Sequence, residues 1–273
     1  MSATAVPRHG FADTSWGQVH HVTAGPDDAP AVVLMHQSPR SVDEYRDVIG
    51  LLAERFRVLA LDSLGFGWSV RPPRPASVEQ MAAAAAEVVR AVLPGRRVHV
   101  VGHHTGGVVA VELAASAPDL VASLVLSGVP WVDGPRRAVT AHRTPIDLVR
   151  RTDDGTYLLE LWGKRAPYYP PDRPDLLERL LIDQLSVLDR VEEGHVAVNA
   201  YRMEDRAPLV GVPTLVVCGE LDTFSLPDVP ALAAALPRCR GTHVLTGVGV
   251  PSVDHDPGQF AAVVAEHVLA VAP

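Results

Sequence analysis

The segment Gly102-His103-His104-Thr105-Gly106-Gly107 lies between an apolar run ending at Val101 and another from Val108 to Ala115, a pattern that predicts strand, tight turn and helix. Its form is that of the G-x-S-x-G elbow, in which a strained turn lifts a hydroxyl above a sheet and glycines let strand and helix backbones approach closely. Here the lifted residue is His104. An imidazole at that crest can act as a base or as a nucleophile, but it is not a serine hydroxyl. Other histidines lack comparable company. His20 and His21 are adjacent in a predicted strand and must point to opposite faces, and His142, His195, His243 and His267 have no clustered partner. His, Cys and carboxylate residues nowhere adopt metal-ligand spacing, so no metal and no other cofactor is expected.

The elements that must position His104 follow from the hydropathy pattern. Short apolar runs at Ala31 to Met35, Arg57 to Leu61, Val98 to Val101, Ser123 to Leu126, Thr214 to Cys218 and Thr242 to Leu245 predict strands. They alternate with helical patterns at Val42 to Arg55, Ser77 to Leu93 and Pro257 to Val271, which implies a mostly parallel central sheet flanked by helices. Ser77 followed by Gln80 is a capping-box arrangement, and Thr14-Ser15-Trp16-Gly17 before Gln18 to Thr23 suggests an opening hairpin. Between Trp131 and Pro213 the alternation stops. Helical patterns at Asp147 to Arg151, Tyr157 to Trp162, Leu176 to Leu188 and His195 to Arg206 predict a helical cap inserted after the sixth strand, over the sheet edge where such folds bind ligands. The expected organisation is a core of residues 1–131, a cap of 132–210 and a second core part of 211–273.

With 273 residues and 47% hydrophobic content, the chain can bury one large core. A net charge of −8 and the absence of a basic run exclude nucleic acid as the expected partner. The polar N-terminal segment Met1 to Gly17 has no signal-like apolar region, no run approaches a membrane span, and Cys218 and Cys239 give no disulfide framework. A cytoplasmic monomer or homodimer acting on a small molecule, away from membranes, is the expectation.

Further segments, taken with the elbow and the cap, resemble the α/β-hydrolase family across essentially the whole chain. Met35-His36-Gln37-Ser38-Pro39 sits where that family has its oxyanion loop, and Asp62, Gly65, Gly67 and Ser69 fit its D-x-x-G-x-G-x-S segment. Cys218-Gly219-Glu220-Leu221-Asp222 fits the loop bearing the catalytic acid, and Asp256-Pro257 with Gln259-Phe260 fits the start of the last helix. Among capped members the resemblance is nearest to haloalkane and fluoroacetate dehalogenases and C–C hydrolases. It implies Asp222 as acid, with backbone N–H groups of Gln37 or Ser38 and of Thr105 as oxyanion donors. It also implies a catalytic histidine at position 250, which is Val250 here. His255, farther along the same loop, is the alternative base.

The vacancy at 250 beside Asp222, and the longer side chain at 104, together predict a His104–Asp222 dyad in which the carboxylate fixes the imidazole tautomer. Arg40 follows the oxyanion loop and would either grip a substrate carboxylate, as arginines do in fluoroacetate dehalogenases, or pair with Glu44 on a helix surface. His36 is expected to brace backbone or to contact substrate, His103 to pack under the turn, and Trp131 and Trp162 to line an aromatic pocket or pack the cap. General-base help of about 10²–10⁴-fold plus an oxyanion donor suits labile substrates. Three readings follow: hydrolysis of an activated ester, lactone or acyl group without a cofactor; lyase, isomerase or cyclase chemistry on an enolisable carbonyl by the same base; or non-catalytic ligand binding.

Overall fold

The computed structural model describes residues 6–271; the first five residues of the polar N-terminal segment and residues 272–273 lie outside it. Eight strands form one sheet in the order β1-β2-β4-β3-β5-β6-β7-β8. They are β1 (Arg8–Thr14), β2 (Gly17–Ala24), β3 (Ala31–Met35), β4 (Arg57–Leu61), β5 (Val98–His103), β6 (Val121–Ser127), β7 (Thr214–Gly219) and β8 (Cys239–Leu245). The hairpin β1–β2 and the β2–β4 pair are antiparallel, and every later pair is parallel. The six strands predicted after the hairpin all form. β1 is the opening partner that the turn signal required but whose bounds its mixed polarity hid.

Alternation along the central strands assigns the layers. Val32 and Leu34 of β3, Val58 and Ala60 of β4, and Val101 of β5 pack on α1 (Arg46–Ala53) and on the final helix Pro257–Val271. Val33, Met35, Leu59 and Val100 face the opposite way, onto α2 (Val78–Val92) and α3 (Thr105–Ser116). Both faces are covered, as an interior parallel sheet demands. Ser77 caps α2 through its own hydroxyl and receives the Gln80 side chain in return, completing the predicted capping box. The pattern from Val42 divides into a 3₁₀ turn, Val42–Tyr45, and then α1.

Between β6 and β7 the described chain is helical: α4 (Gly134–Thr140), α5 (Thr156–Arg165), α6 (Pro174–Ser186), α7 (Glu193–Ala200) and α8 (Met203–Arg206), with short 3₁₀ turns. Asp147 to Arg151, expected helical, is irregular, while α4 was not anticipated. Asp133 explains α4, because its side chain accepts the Arg136 N–H and caps a helix too short to carry an apolar stripe. Beyond β7 come α9 (Val229–Ala235), α10 (Ser252–His255) and the final helix, α11. No described helix is long and apolar enough to cross a membrane.

β3, β5 and α3 meet at the elbow. A Cβ on Gly106 would lie 2.0 Å from the Met35 carbonyl oxygen, and one on Gly102 would lie 2.4 Å from the Gly106 carbonyl oxygen. Those neighbours are backbone and cannot swing aside. Gly106→Ala is therefore expected to lower stability by roughly 2 kcal/mol or more. Equilibrium urea unfolding measures this; a loss under about 0.5 kcal/mol would mean that the strand–helix approach is looser than described.

Candidate active site

His104 has φ 44° and ψ −110°, the one positive φ at a non-glycine position among the described residues. Its N–H donates to the Ser127 carbonyl at 2.9 Å, and its own carbonyl accepts from Gly107 and Val108. The turn is thus held from β6 and from α3, and a strained conformer of this kind persists only where its surroundings over-determine it. The consequence is an imidazole raised toward the C-terminal ends of the parallel strands.

That imidazole meets Asp222. His104 Nε2 lies 3.3 Å from Asp222 Oδ2, close enough for an ion pair but off the line of a well-aligned hydrogen bond. On the other side of the carboxylate, Oδ1 accepts the backbone N–H of Phe224 at 3.0 Å and of Ser225 at 3.1 Å. Burial pushes the Asp222 carboxyl up, but His104 and these two amides outweigh it and hold the pKa below the ordinary carboxylate value. Gly128 makes the contact sterically possible, since a Cβ there would stand 2.9 Å from His104 Nε2 and 3.1 Å from Asp222 Oδ2. The second ring nitrogen, Nδ1, lies 3.5 Å from Ser225 Oγ.

A cavity of about 110 Å³ opens on the His104 side of this pair, and Ser38, Thr105, Ser225 and Val250 also line it. Valine at 250 brings no titratable group to that lining. The alternative base His255 is turned to the loop backbone, where Nδ1 accepts the Gly249 N–H at 3.2 Å, and it does not line the cavity.

Of the expected oxyanion donors, Thr105 begins α3, so its N–H has no intrahelical acceptor and carries the positive end of the helix dipole. The Ser38 N–H has no hydrogen-bond partner among the described residues. The Gln37 N–H is a correction: it is consumed by Glu44 Oε2 at 2.9 Å, while the Gln37 side-chain amide donates to Oε1. Glu44, the surface partner in one of the two readings of Arg40, is instead 1% exposed, accepting a third hydrogen bond from His103 Nδ1 at 3.0 Å. Burial opposes its charge, yet His103, Arg40 and the Gln37 amide bring the carboxyl down to about 2.

Arg40 is likewise corrected. It is fully buried, with Nε on Asp183 at 2.8 Å and Nη1 on Asp254, so its fork faces carboxylates of the protein and not the cavity. His36 donates from Nδ1 to the Gln37 carbonyl and accepts the Ser63 N–H at Nε2, which makes it a brace for the loop. Neither tryptophan reaches the cavity. Trp131 Nε1 donates to Asp133 and its ring packs on the core, while Trp162 packs in a small cluster with Leu176, Leu177 and Leu180. Both bind their own chain and not the cavity.

Three arginines that the sequence reading passed over stand where Arg40 was expected. Arg136, Arg143 and Arg165 line the cavity from the helical stretch between β6 and β7. Arg165 is matched by Asp147 through two hydrogen bonds. Arg136 gives Nη1 to Asp228 but has no partner at Nε, and Arg143 has no salt bridge among the described residues. Arg136 lies in the short helix α4, Arg165 ends α5 and Arg143 lies in the irregular stretch between them, so hydrophobic period gives no signal that brings the three together.

A family model described as the alpha/beta hydrolase fold matches residues 30–152. The chain is 28% identical over 247 residues to a 2-hydroxy-6-oxononadienedioate/2-hydroxy-6-oxononatrienedioate hydrolase of Paraburkholderia xenovorans, covering 85% of this chain and 84% of that one. It is 26% identical over 276 residues to haloalkane dehalogenase 2 of Mycobacterium bovis, covering 93% and 92%. Among solved structures, an enol-lactonase from Burkholderia xenovorans superposes with a TM-score of 0.77 at 21% identity, covering 95% of this chain and 100% of that one.

The buried Glu44 carboxylate sets a pH dependence. Its folded value, about 2, lies below the ordinary 4.5, so its contribution is complete above about 4.5 and is lost as pH falls toward 2. Glu44→Gln is expected to flatten the dependence of unfolding free energy on pH between about 2 and 4.5. Denaturant titrations across that range measure the slope; an unchanged slope would show that the charge does not stabilise the folded state.

Proposed function

Because the chain belongs to the α/β-hydrolase fold family, we propose that it is a hydrolase of a small, activated ester, lactone or acyl compound bearing an acidic group. The observation that carries the proposal is the approach of Asp222, at 3.3 Å, to an imidazole that itself lines a cavity. His104 acts as general base, and Asp222, held as a carboxylate, orients the ring and stabilises the imidazolium that forms. The Thr105 N–H, with the Ser38 N–H on the facing loop, receives the developing oxyanion. These groups supply about 5–9 kcal/mol of barrier lowering, enough for labile carbonyl compounds and far short of what ordinary amides require.

The acidic group follows from the arginines. Arg143 and the free edge of Arg136 present unmatched guanidinium donors at the cavity, and a planar fork suits a carboxylate. The relative from Paraburkholderia xenovorans is named for two dioates, which agrees with this substrate class. The helices between β6 and β7, from which these arginines come, then serve as a cap that recognises the distal part of the substrate.

His104→Ala is expected to lower kcat/KM on p-nitrophenyl esters by about 10²–10⁴-fold. Unchanged turnover in that variant would remove the imidazole from the mechanism. Arg143→Ala is expected to raise KM about tenfold for a hemisuccinate ester while leaving an uncharged ester of similar size unaffected. Equal effects on the two substrates, or none, would argue against carboxylate recognition.

A further inference from the structure

We propose that Ser225 is the nucleophile of this site, so that the hydroxyl missing from the elbow is supplied by the loop that carries the acid. The assignment rests on the His104–Asp222 base described above. Ser225 Oγ is 3.5 Å from His104 Nδ1, and the opposite ring nitrogen is 3.3 Å from Asp222 Oδ2. Serine, imidazole and carboxylate therefore stand in the order of a catalytic relay, with two of the three on a different part of the chain from the elbow motif.

The ordinary structural role for this serine is not the one it plays. Ser225 precedes the 3₁₀ turn Leu226–Asp228, where a serine hydroxyl commonly accepts a backbone N–H, yet it makes no capping bond. Its hydroxyl has His104 as its hydrogen-bond partner. The residue is 1% exposed and its side chain lies on the cavity wall. Its own amide donates to Asp222 Oδ1, which ties the nucleophile to the acid through one rigid loop.

Other candidates lack one requirement each. Cys218 has its thiol 3.9 Å from Asp222 Oδ2, and burial followed by that carboxylate pushes its pKa up to about 12, which keeps it protonated. Ser38 lines the cavity but its hydroxyl has no partner, hence no base. Ser252 has a base, since its Oγ is 3.2 Å from His103 Nε2 and His103 bonds to Glu44. It shares its hydroxyl with Ser127 at 3.1 Å and is not among the residues lining the cavity. Ser225 alone among these four joins a base to the cavity.

The step balances without a further reagent. Ser225 Oγ attacks the carbonyl carbon as its proton passes to His104 Nδ1, and the carbonyl π electrons move onto oxygen. Collapse of the tetrahedral species breaks the bond to the leaving oxygen, which takes the proton from His104 and departs as an alcohol. Water then attacks the acyl-Ser225 ester, again giving its proton to His104. Collapse releases the acid and returns that proton to Ser225 Oγ. Asp222 stays ionised throughout, and the 3.5 Å contact shortens when substrate fills the cavity, as is usual for catalytic hydrogen bonds without ligand.

A fluorophosphonate probe reacted with the full chain, followed by peptide mass spectrometry, tests the assignment directly. An adduct on Ser225 in the wild type, slowed at least 10²-fold in His104→Ala, is expected. Ser225→Ala retains the amide that Asp222 accepts, and is expected to keep the wild-type thermal melt while losing at least 10²-fold in p-nitrophenyl ester turnover. Absence of an adduct on Ser225 in the wild type overturns the proposal, as does wild-type turnover by Ser225→Ala. If Ser225→Ala keeps turnover while His104→Ala loses it, base-activated water is the nucleophile and only the Ser225 assignment fails. If both variants keep it, the dyad itself is refuted.

Discussion

The structure turns on the bend at residue 104, where a non-glycine residue is held at φ 44° between the end of β5 and the first turn of α3. That conformation is unfavourable for an L residue, by something like 1–3 kcal/mol, and nothing in the local sequence compensates for it. The compensation comes from three sides: β6 accepts the His104 N–H, β3 presses against Gly106, and His103 anchors the underside. Move any of these and the imidazole no longer meets Asp222. The His104–Asp222 geometry is therefore a property of the packed sheet and not of the six-residue motif.

The anchoring beneath the bend is electrostatic and buried. Glu44 ties the loop after β3 to the elbow by accepting from Gln37 and His103, and its charge survives burial because those donors replace water. Alongside it, Arg40 pairs with Asp183 of α6 and Asp254 of α10. Burial dominates there, lifting the Asp254 carboxyl to about 6 despite Arg40 and Arg179. A pair of this kind adds little over an apolar replacement, whereas removal of one partner strands a charge at about 3–5 kcal/mol. Its effect is positional. The guanidinium joins the loop after β3 to α6 and to α10.

Much of this was legible in the chain. Central strands are recognised by uninterrupted β-branched and aliphatic runs, α2 by its capping box, and the elbow by glycines whose spacing only a close strand–helix approach explains. Asp222 followed from its place after β7. What failed was the partnering of polar side chains. Arg40 and Gln37 sit where their types suggest substrate contacts, but Asp183, Asp254 and Glu44, two of them more than a hundred residues away, take their donors. Hydrophobic period reports which face is inward and says nothing of which carboxylate lies there. Ser225 and the arginines of the helical stretch were missed for the same reason: their neighbours are defined by the fold and not by spacing.

Histidine at 104 and valine at 250 together decide which ring meets Asp222. With valine at 250, no imidazole approaches Asp222 from the last loop, and among the described residues the ring that pairs with the carboxylate is the one on the elbow. Its two nitrogens then point one to the acid and the other to the acid's own loop, at Ser225. In the mechanism proposed above, the proton path therefore runs toward the β7 side of the cavity and not along the elbow. Thr105, at the start of α3, keeps its N–H where the elbow puts it. A carbonyl bound there would be polarised from one wall and attacked from the adjacent one, an arrangement that favours short, planar acyl groups able to bridge a space of about 110 Å³.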